Sequence, residues 1–220
     1  MILIAVALLL ILLSLVLISS FKIGWKFYLP SICKIKTGLK EVVLTFDDGP
    51  HPEYTPKLLD LLKEKGIHAT FFVIGERANR YPEIVKRLAE DGHKLGIHSY
   101  YHKPSFTLLS KRATIKDLSD SKTLLEKITG DEISLFRPPY GVTNPNIAGA
   151  VKSLKLKSIG WSIRSFDTVG KSEEKVVDKI ERSLSPGTII LLHDRLPDCV
   201  SLVSKLLTVL DNKGYKVVNL

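Results

Sequence analysis

From Glu41 to the C-terminus, short β-rich runs alternate with amphipathic stretches, and this alternation restricts the fold more than any other feature of the chain. Segments 41–46, 69–74, 94–98, 133–136, 157–161, 188–192 and 216–218 are rich in β-branched and aromatic residues and read as strands. Between them, 56–65, 82–91, 116–129, 146–154, 173–183 and 200–212 carry apolar residues at helical spacing. Leu58, Leu59, Leu61 and Leu62 mark one face of the first. Gly66, Gly92 and Gly130 stand where helices should stop. Repeated strand–helix alternation implies a parallel sheet with helical crossovers, either an α/β barrel or an open doubly wound sheet. In both, ligands collect at the carboxyl ends of the strands. Asp47 and Asp48 follow the first run, His98 ends the third, Arg137 follows the fourth and His193 follows the sixth. Ionisable groups from separate segments are therefore expected on one rim.

The N-terminus has a different character. Residues 1–21 contain no charged side chain and are almost all Leu, Ile, Val and Ala. About 20 such residues match a hydrocarbon core of roughly 30 Å, so a transmembrane helix is expected. A cleaved signal peptide is disfavoured: no Lys or Arg precedes the apolar core, and Ile18, Phe21, Ile23 and Trp25 crowd its exit. Residues 22–40, with Pro30 and Gly38, read as a juxtamembrane linker, and 41–220 as one domain. A single-pass membrane protein is the expectation. Lys22, Lys26, Lys34 and Lys36 on the exit side favour a cytoplasmic placement of the residues that follow. The net charge of +9 comes from scattered lysines with no dense basic block, so nucleic acid is not an expected partner. Cys33 and Cys199 do not suggest a disulfide framework.

Four short segments carry chemistry. In Thr45-Phe46-Asp47-Asp48-Gly49-Pro50, adjacent carboxylates at a strand end repel, and a bound cation would relieve that repulsion. In His98-Ser99-Tyr100-Tyr101-His102, two imidazoles four apart converge on one ion if the segment turns tightly. With an Asp from a neighbouring strand they form a His/His/Asp set suited to zinc or a similar divalent ion. Arg137-Pro138-Pro139-Tyr140-Gly141 is a proline-stiffened turn in which Arg137 would orient a carboxylate and a backbone N–H would meet an oxyanion. His193, at the mouth of the apolar run 188–192, suits a general acid.

In order and spacing, the four segments resemble the polysaccharide deacetylase family, the nodulation-protein-like domain of carbohydrate esterase family four, over residues 41–220. The resemblance implies a deformed (β/α) barrel of fewer than eight units, in keeping with about seven parallel strands. It implies Asp47 as catalytic base and Asp48, His98 and His102 as ligands of a divalent metal, zinc first, with cobalt or nickel as alternatives. It further implies Arg137 as the residue positioning Asp47, the Tyr140 N–H as oxyanion donor, His193 as general acid and Asp167 as its partner. Leu191, Trp161 and Pro139 are expected to line the substrate pocket. The implied reaction removes N-acetyl groups from N-acetylglucosamine-type residues of a polysaccharide or glycoconjugate. A catalytic domain 41–220 acting on wall or surface polysaccharide should face out of the cytoplasm, against the orientation that the lysines after the apolar segment favour. Alternatives are hydrolysis of another acyl or C–N bond (an O-acetyl ester, a cyclic amide) or non-catalytic sugar binding at a membrane. The sequence departs from the family pattern at Arg164, where an Asp is usual, at Thr168 in place of a Trp, and at Ile97 in place of an Asn. These departures bear on substrate choice. The oligomeric state is not legible.

Overall fold

A computed structural model of the chain describes residues 2–220, the side chains of Ile2 and Ala5 excepted. Its strands are β1 (Ser31–Ile32), β2 (Glu41–Asp47), β3 (Thr70–Val73), β4 (Lys94–Ile97), β5 (Leu135–Phe136), β6 (Lys157–Ile159), β7 (Ile163–Arg164), β8 (Thr188–His193) and β9 (Lys216–Val217). They form one nine-stranded sheet in the order β1-β6-β5-β4-β3-β2-β8-β7, with β9 beside the start of β2. Every strand pairing within it is parallel. The helices are α1 (Ile2–Ser20), α2 (Tyr54–Glu64), α3 (Gly75–Arg80), α4 (Pro82–Glu90), α5 (Lys111–Thr129), α6 (Pro145–Ser153), α7 (Glu173–Ser183) and α8 (Cys199–Asn212). The result is a curled parallel half-barrel with helices outside, consistent with a deformed (β/α) barrel.

The expected strands all occur, and β1 and β7 are additions. β1 lies in the segment expected to be a linker. Ser31 and Ile32 pair with Ser158 and Ile159, and further along Lys34 bridges Thr188 at the start of β8. Residues 31–34 thus reach from β6 to β8 across the open side of the sheet. The segment is part of the barrel wall, not a free tether. α3 is also unforeseen. Cys33 and Cys199 are free thiols.

Side-chain alternation along β2 and β8 explains where the core ends and the site begins. Val42, Leu44 and Phe46 of β2, with Ile190 and Leu192 of β8, join the large core under the helices. Val43 and Ile189 face the other way, into a small inner cluster with Phe72 and Ile159. The period of two then turns Thr45 and Asp47, and Leu191 and His193, to the inside as well. Asp47 and His193 are register partners on adjacent strands. A parallel sheet puts all strand ends on one rim, so the polar residues that end β2, β4, β5 and β8 meet there.

α1 is an uncharged helix of 19 residues, about 28 Å long at roughly 1.5 Å per residue. Leu3, Leu8 to Leu13 and Leu17 are exposed apolar side chains. Among the described residues no helix is long and apolar enough to cross a membrane. The expected crossing by residues 1–21 is therefore not carried by the fold, and Met1 lies outside the described residues. At its C-terminal end α1 is docked: Ser19 and Ile23 are buried, and the Thr143 N–H donates to the Ser20 carbonyl at 2.9 Å.

Candidate metal and catalytic site

Where the chain leaves β2, the backbone turns at once. Asp48 adopts a left-handed conformation (φ 72), which separates its side chain from that of Asp47. The next residue has to be glycine, since a Cβ at Gly49 would sit inside the carboxylate of Asp194. Ser99 and His102 also have positive φ, and this tight loop after β4 brings His102 back beside His98. The His98 and His102 rings lie 4.7 Å apart between centroids. Backbone strain of this kind concentrates at sites that the surrounding structure holds in place.

Asp48, His98 and His102 each offer a ligand atom, and those atoms lie within 4.8 Å of one another. Asp48 Oδ1 is 3.6 Å from His98 Nε2 and 3.4 Å from His102 Nε2. The donor set suits a divalent ion in its protonation as well as its spacing. Burial pushes the Asp48 carboxyl up, but His98, His102 and Arg195 together outweigh it and hold it at about 2. Burial, and then His98, push the His102 imidazole down to about 4. Near neutral pH the site therefore offers an ionised carboxylate and an unprotonated His102. His98 Nδ1 donates to the Arg137 carbonyl at 2.8 Å, which fixes its tautomer and leaves the Nε2 lone pair facing Asp48.

Asp47 is held from the opposite side. Arg137 is 0% exposed, and its Nη1 donates to Asp47 Oδ1 and to Thr45 Oγ1, both at 2.7 Å. Nε and Nη2 donate to the carbonyls of Ile159 and Gly160. Its guanidinium lies over the Phe72 ring, 4.2 Å from the centroid, with Trp161 beyond at 5.7 Å. A buried guanidinium with one carboxylate partner and this many acceptors cannot rotate, so one oxygen of Asp47 is fixed. The other, Oδ2, looks toward His98 at 3.7 Å.

His193 is anchored likewise. Its Nδ1 donates to Asp167 Oδ1 and its backbone N–H to Asp167 Oδ2, both at 2.8 Å. Ser165 Oγ donates to the same carboxylate. Burial alone would lower the imidazole pKa, but the hydrogen bond and charge of Asp167 prevail and raise it. His193 Nε2 is left as the free ring nitrogen.

These groups surround one cavity of about 370 Å³, lined by Asp47, Asp48, His98, His102, Tyr140, Trp161, Leu191 and His193. Arg137 and Asp167 stand behind it, in contact with Asp47 and His193 and outside the cavity lining. Pro139, expected against the substrate, is buried and does not line the cavity. It sets the turn, and Gly141 takes its place in the wall. Gly141 has φ 71, and a Cβ there would strike the Trp161 ring. Tyr140 also has positive φ, and its hydroxyl donates to the His102 carbonyl at 3.1 Å. Sequence reasoning missed Arg77, whose Nη1 donates to the Asp48 carbonyl, and Arg195, whose Nε donates to Asp48 Oδ2. It also missed Asp194, fully buried and pushed up to about 7 by that burial, which accepts from Thr55 Oγ1 at 2.6 Å. Only the adjacency of Asp194 and Arg195 to His193 hinted at them.

Residues 34–159 match the family model described as Polysaccharide deacetylase, more than half of the chain. The chain belongs to the polysaccharide deacetylase family. Among its relatives in that family is the peptidoglycan-N-acetylmuramic acid deacetylase PdaC of Bacillus subtilis, 34% identical over 86% of this chain and 40% of that protein. A chitooligosaccharide deacetylase of Sinorhizobium fredii is 30% identical over 88% of this chain and 96% of that protein. The solved structure of B. subtilis PdaC superimposes with a TM-score of 0.77 at 33% identity, over 84% of this chain and 90% of that one. The chain thus spans well under half the length of the Bacillus relative while matching the rhizobial one almost end to end.

Proposed function

We propose that this polysaccharide deacetylase family member is a metal-dependent hydrolase that removes N-acetyl groups from N-acetylglucosamine-type residues of a polysaccharide or glycoconjugate, with zinc as its metal. The observation that carries this reading is the conjunction at one cavity of three parts: the Asp48/His98/His102 donor set, Asp47 fixed by Arg137, and His193 fixed by Asp167. The names of the relatives, which act on peptidoglycan or chitooligosaccharide, support the substrate class.

An amide resists hydrolysis because its carbonyl is a poor electrophile and its amine a poor leaving group. A divalent ion on Asp48, His98 and His102 would supply Lewis acidity to the carbonyl oxygen and acidity to a water. Asp47 Oδ2, the oxygen not held by Arg137, takes one proton from the attacking water as its oxygen bonds to the acetyl carbon. The Tyr140 N–H donates to the oxyanion, an interaction whose loss typically costs about 3 kcal/mol. As the C–N bond breaks, the nitrogen takes the electron pair, and protonated His193 gives it a proton from Nε2. General acid catalysis of this kind contributes roughly 10²–10⁴ in rate. Acetate and the free amino sugar leave. Asp47 then returns its proton to solvent, and His193 regains one. Leu191 and Trp161 line the cavity and would give the acetyl methyl an apolar wall.

We further propose that the protein is held at a membrane through the apolar surface of α1, with residues 41–220 outside the cytoplasm. What supports this is an apolar helix of 19 residues without a charge, its Leu and Ile side chains turned outward. Wall and surface polysaccharides lie on that side.

Replacing Asp47 with Asn is the direct test of the assignment. Acetate release from N-acetylglucosamine oligomers should vanish while zinc still binds. An Asp47→Asn protein that turns over would remove Asp47 from its role.

A further inference from the structure

Beside the catalytic cavity runs a second groove of about 400 Å³, formed where the chain leaving α1 passes β7 and α7. Its walls include Lys22, Trp25, Trp161, Arg164, Phe166 and Lys179. Trp161 and Arg164 line the catalytic cavity as well, so the two spaces share a wall. The groove has a marked excess of positive charge. Three cations gather over the Phe166 ring: Lys179 Nζ at 3.7 Å from its centroid, Arg164 at 5.1 Å and Lys171 Nζ at 5.8 Å. Three of the four carboxylates of α7 are engaged elsewhere, Glu173 and Glu174 with Lys205 and Glu181 with Lys213, and the fourth, Asp178, forms no ion pair with these cations among the described residues. Among the described residues, none of Lys22, Arg164, Lys171 and Lys179 has a carboxylate partner. Burial, then Lys171 and Arg164, lower the pKa of Lys179, as expected of cations held together without a counter-charge. Arg164 is also the position where an acidic residue is usual in the family motif.

The groove lies at the foot of α1. The Ser20 carbonyl accepts from Thr143, just past Tyr140 and Gly141 on the catalytic rim, and Tyr28 Oη donates to the Val16 carbonyl. Phe21, Trp25 and Phe27 are exposed around this junction. Apolar helix, aromatic-and-cation groove and catalytic cavity therefore follow one another in that order. This order matches an amphiphile with three parts: a hydrocarbon chain, a phosphate and an N-acetylated sugar.

We propose, on the strength of the deacetylase reading above, that the substrate is a lipid-linked sugar, with its phosphate or diphosphate held by Lys22, Arg164 and Lys179, Lys171 adding its charge from beside Phe166, and its N-acetyl group in the catalytic cavity. Charge complementarity favours a phosphate diester over a neutral linkage, since clustered cations attract a multivalent anion most strongly at low salt.

The test uses the full-length protein in neutral detergent micelles. Three probes are compared: N-acetylglucosamine joined through diphosphate to a short isoprenoid, the same sugar joined to the same isoprenoid without phosphate, and the free N-acetylglucosamine disaccharide. Affinity is measured by titration, independently of turnover. The diphosphate probe should bind about ten-fold or more tightly than the phosphate-free lipid, a margin typical of charge-assisted contacts. Lys171→Gln/Lys179→Gln should reduce that ratio to near one, and Lys171→Arg/Lys179→Arg should retain it. Inorganic pyrophosphate should compete. If both lipid probes bind equally, or the ratio survives in the Gln variant, the anion groove is wrong. If pyrophosphate binds as tightly as the diphosphate lipid-sugar, the groove recognises a free anion and the lipid-linked substrate is wrong. Turnover separates this inference from the reading beneath it. Deacetylation of the disaccharide with no diphosphate preference overturns the groove alone, whereas tight diphosphate binding with no deacetylation of any probe overturns the reaction.

Discussion

Asp47 and Asp48 are neighbours in sequence but have different partners, and the difference comes from one backbone angle. The left-handed turn at Asp48 sends its carboxylate to His98, His102 and Arg195, while Asp47 stays in line with β2 and meets Arg137. The Arg137–Asp47 pair is wholly buried, so removing its cation should be costly. Arg137→Met leaves a buried carboxylate alone and is expected to destabilise by about 3–5 kcal/mol, read from denaturant midpoints. The pH dependence follows from the Asp167–His193 pair. A general acid works in its protonated form, which prevails below its pKa. The raised pKa of His193 therefore sets a basic limb beyond which kcat falls as pH rises. Asp167→Asn removes the charge that raises it, so that limb should move to lower pH, and a limb left in place would contradict the pairing. The same sign applies to stability: His193 contributes fully below its unfolded value and loses that contribution as pH rises through the folded one. Asp48 works in reverse. Its folded pKa of about 2 stabilises the metal-free protein above the usual carboxylate range, and that contribution is lost as pH falls toward 2.

At the scale of elements, the alternation of short apolar runs and amphipathic helices was readable because each strand carries its own period and its own stop. What escaped notice had no period to read. Ser31–Ile32 and Ile163–Arg164 are too short to show alternation, and Gly75–Arg80 opens on glycine and is almost wholly polar. The site divides the same way. His98, His102, Asp48 and His193 follow strands and were legible as strand-end residues. That Arg137 is buried between Phe72 and Trp161, or that Arg195 meets Asp48, depends on which strands adjoin. The pairing order puts β5 two places from β3 and β8 next to β2, which sequence does not state. Pro139 was misplaced for a related reason: a proline beside a site looks like wall, whereas this one is the buried part of the turn. Close approach gives a test at this scale. Gly49→Ala would push a methyl into the Asp194 carboxylate and should cost about 1–3 kcal/mol, a figure typical of overpacking. The melting temperature should fall by roughly 2–4 °C per kcal/mol for a domain of this size.

For the whole molecule, the helix outside the barrel and the site inside it are connected through the segment after α1, which gives up the freedom of a linker to complete the barrel wall. Two lysines introduced at Leu9 and Leu13, both exposed on α1, should weaken the hold of its apolar surface on a membrane. The full-length variant should then pass from the pellet of sedimented vesicles to the supernatant, and a variant that stays pelleted would remove α1 as the membrane contact. The central claim is that Asp48, His98 and His102 hold a metal on which N-deacetylation depends. The most direct measurement is acetate release from N-acetylglucosamine oligomers by the full-length protein, before chelation, after it, and after zinc is restored. Release that disappears with chelation and returns with zinc, but does not return in His102→Ala, is the predicted result. Release that persists through chelation, or that His102→Ala recovers with zinc as fully as the parent protein, would contradict it.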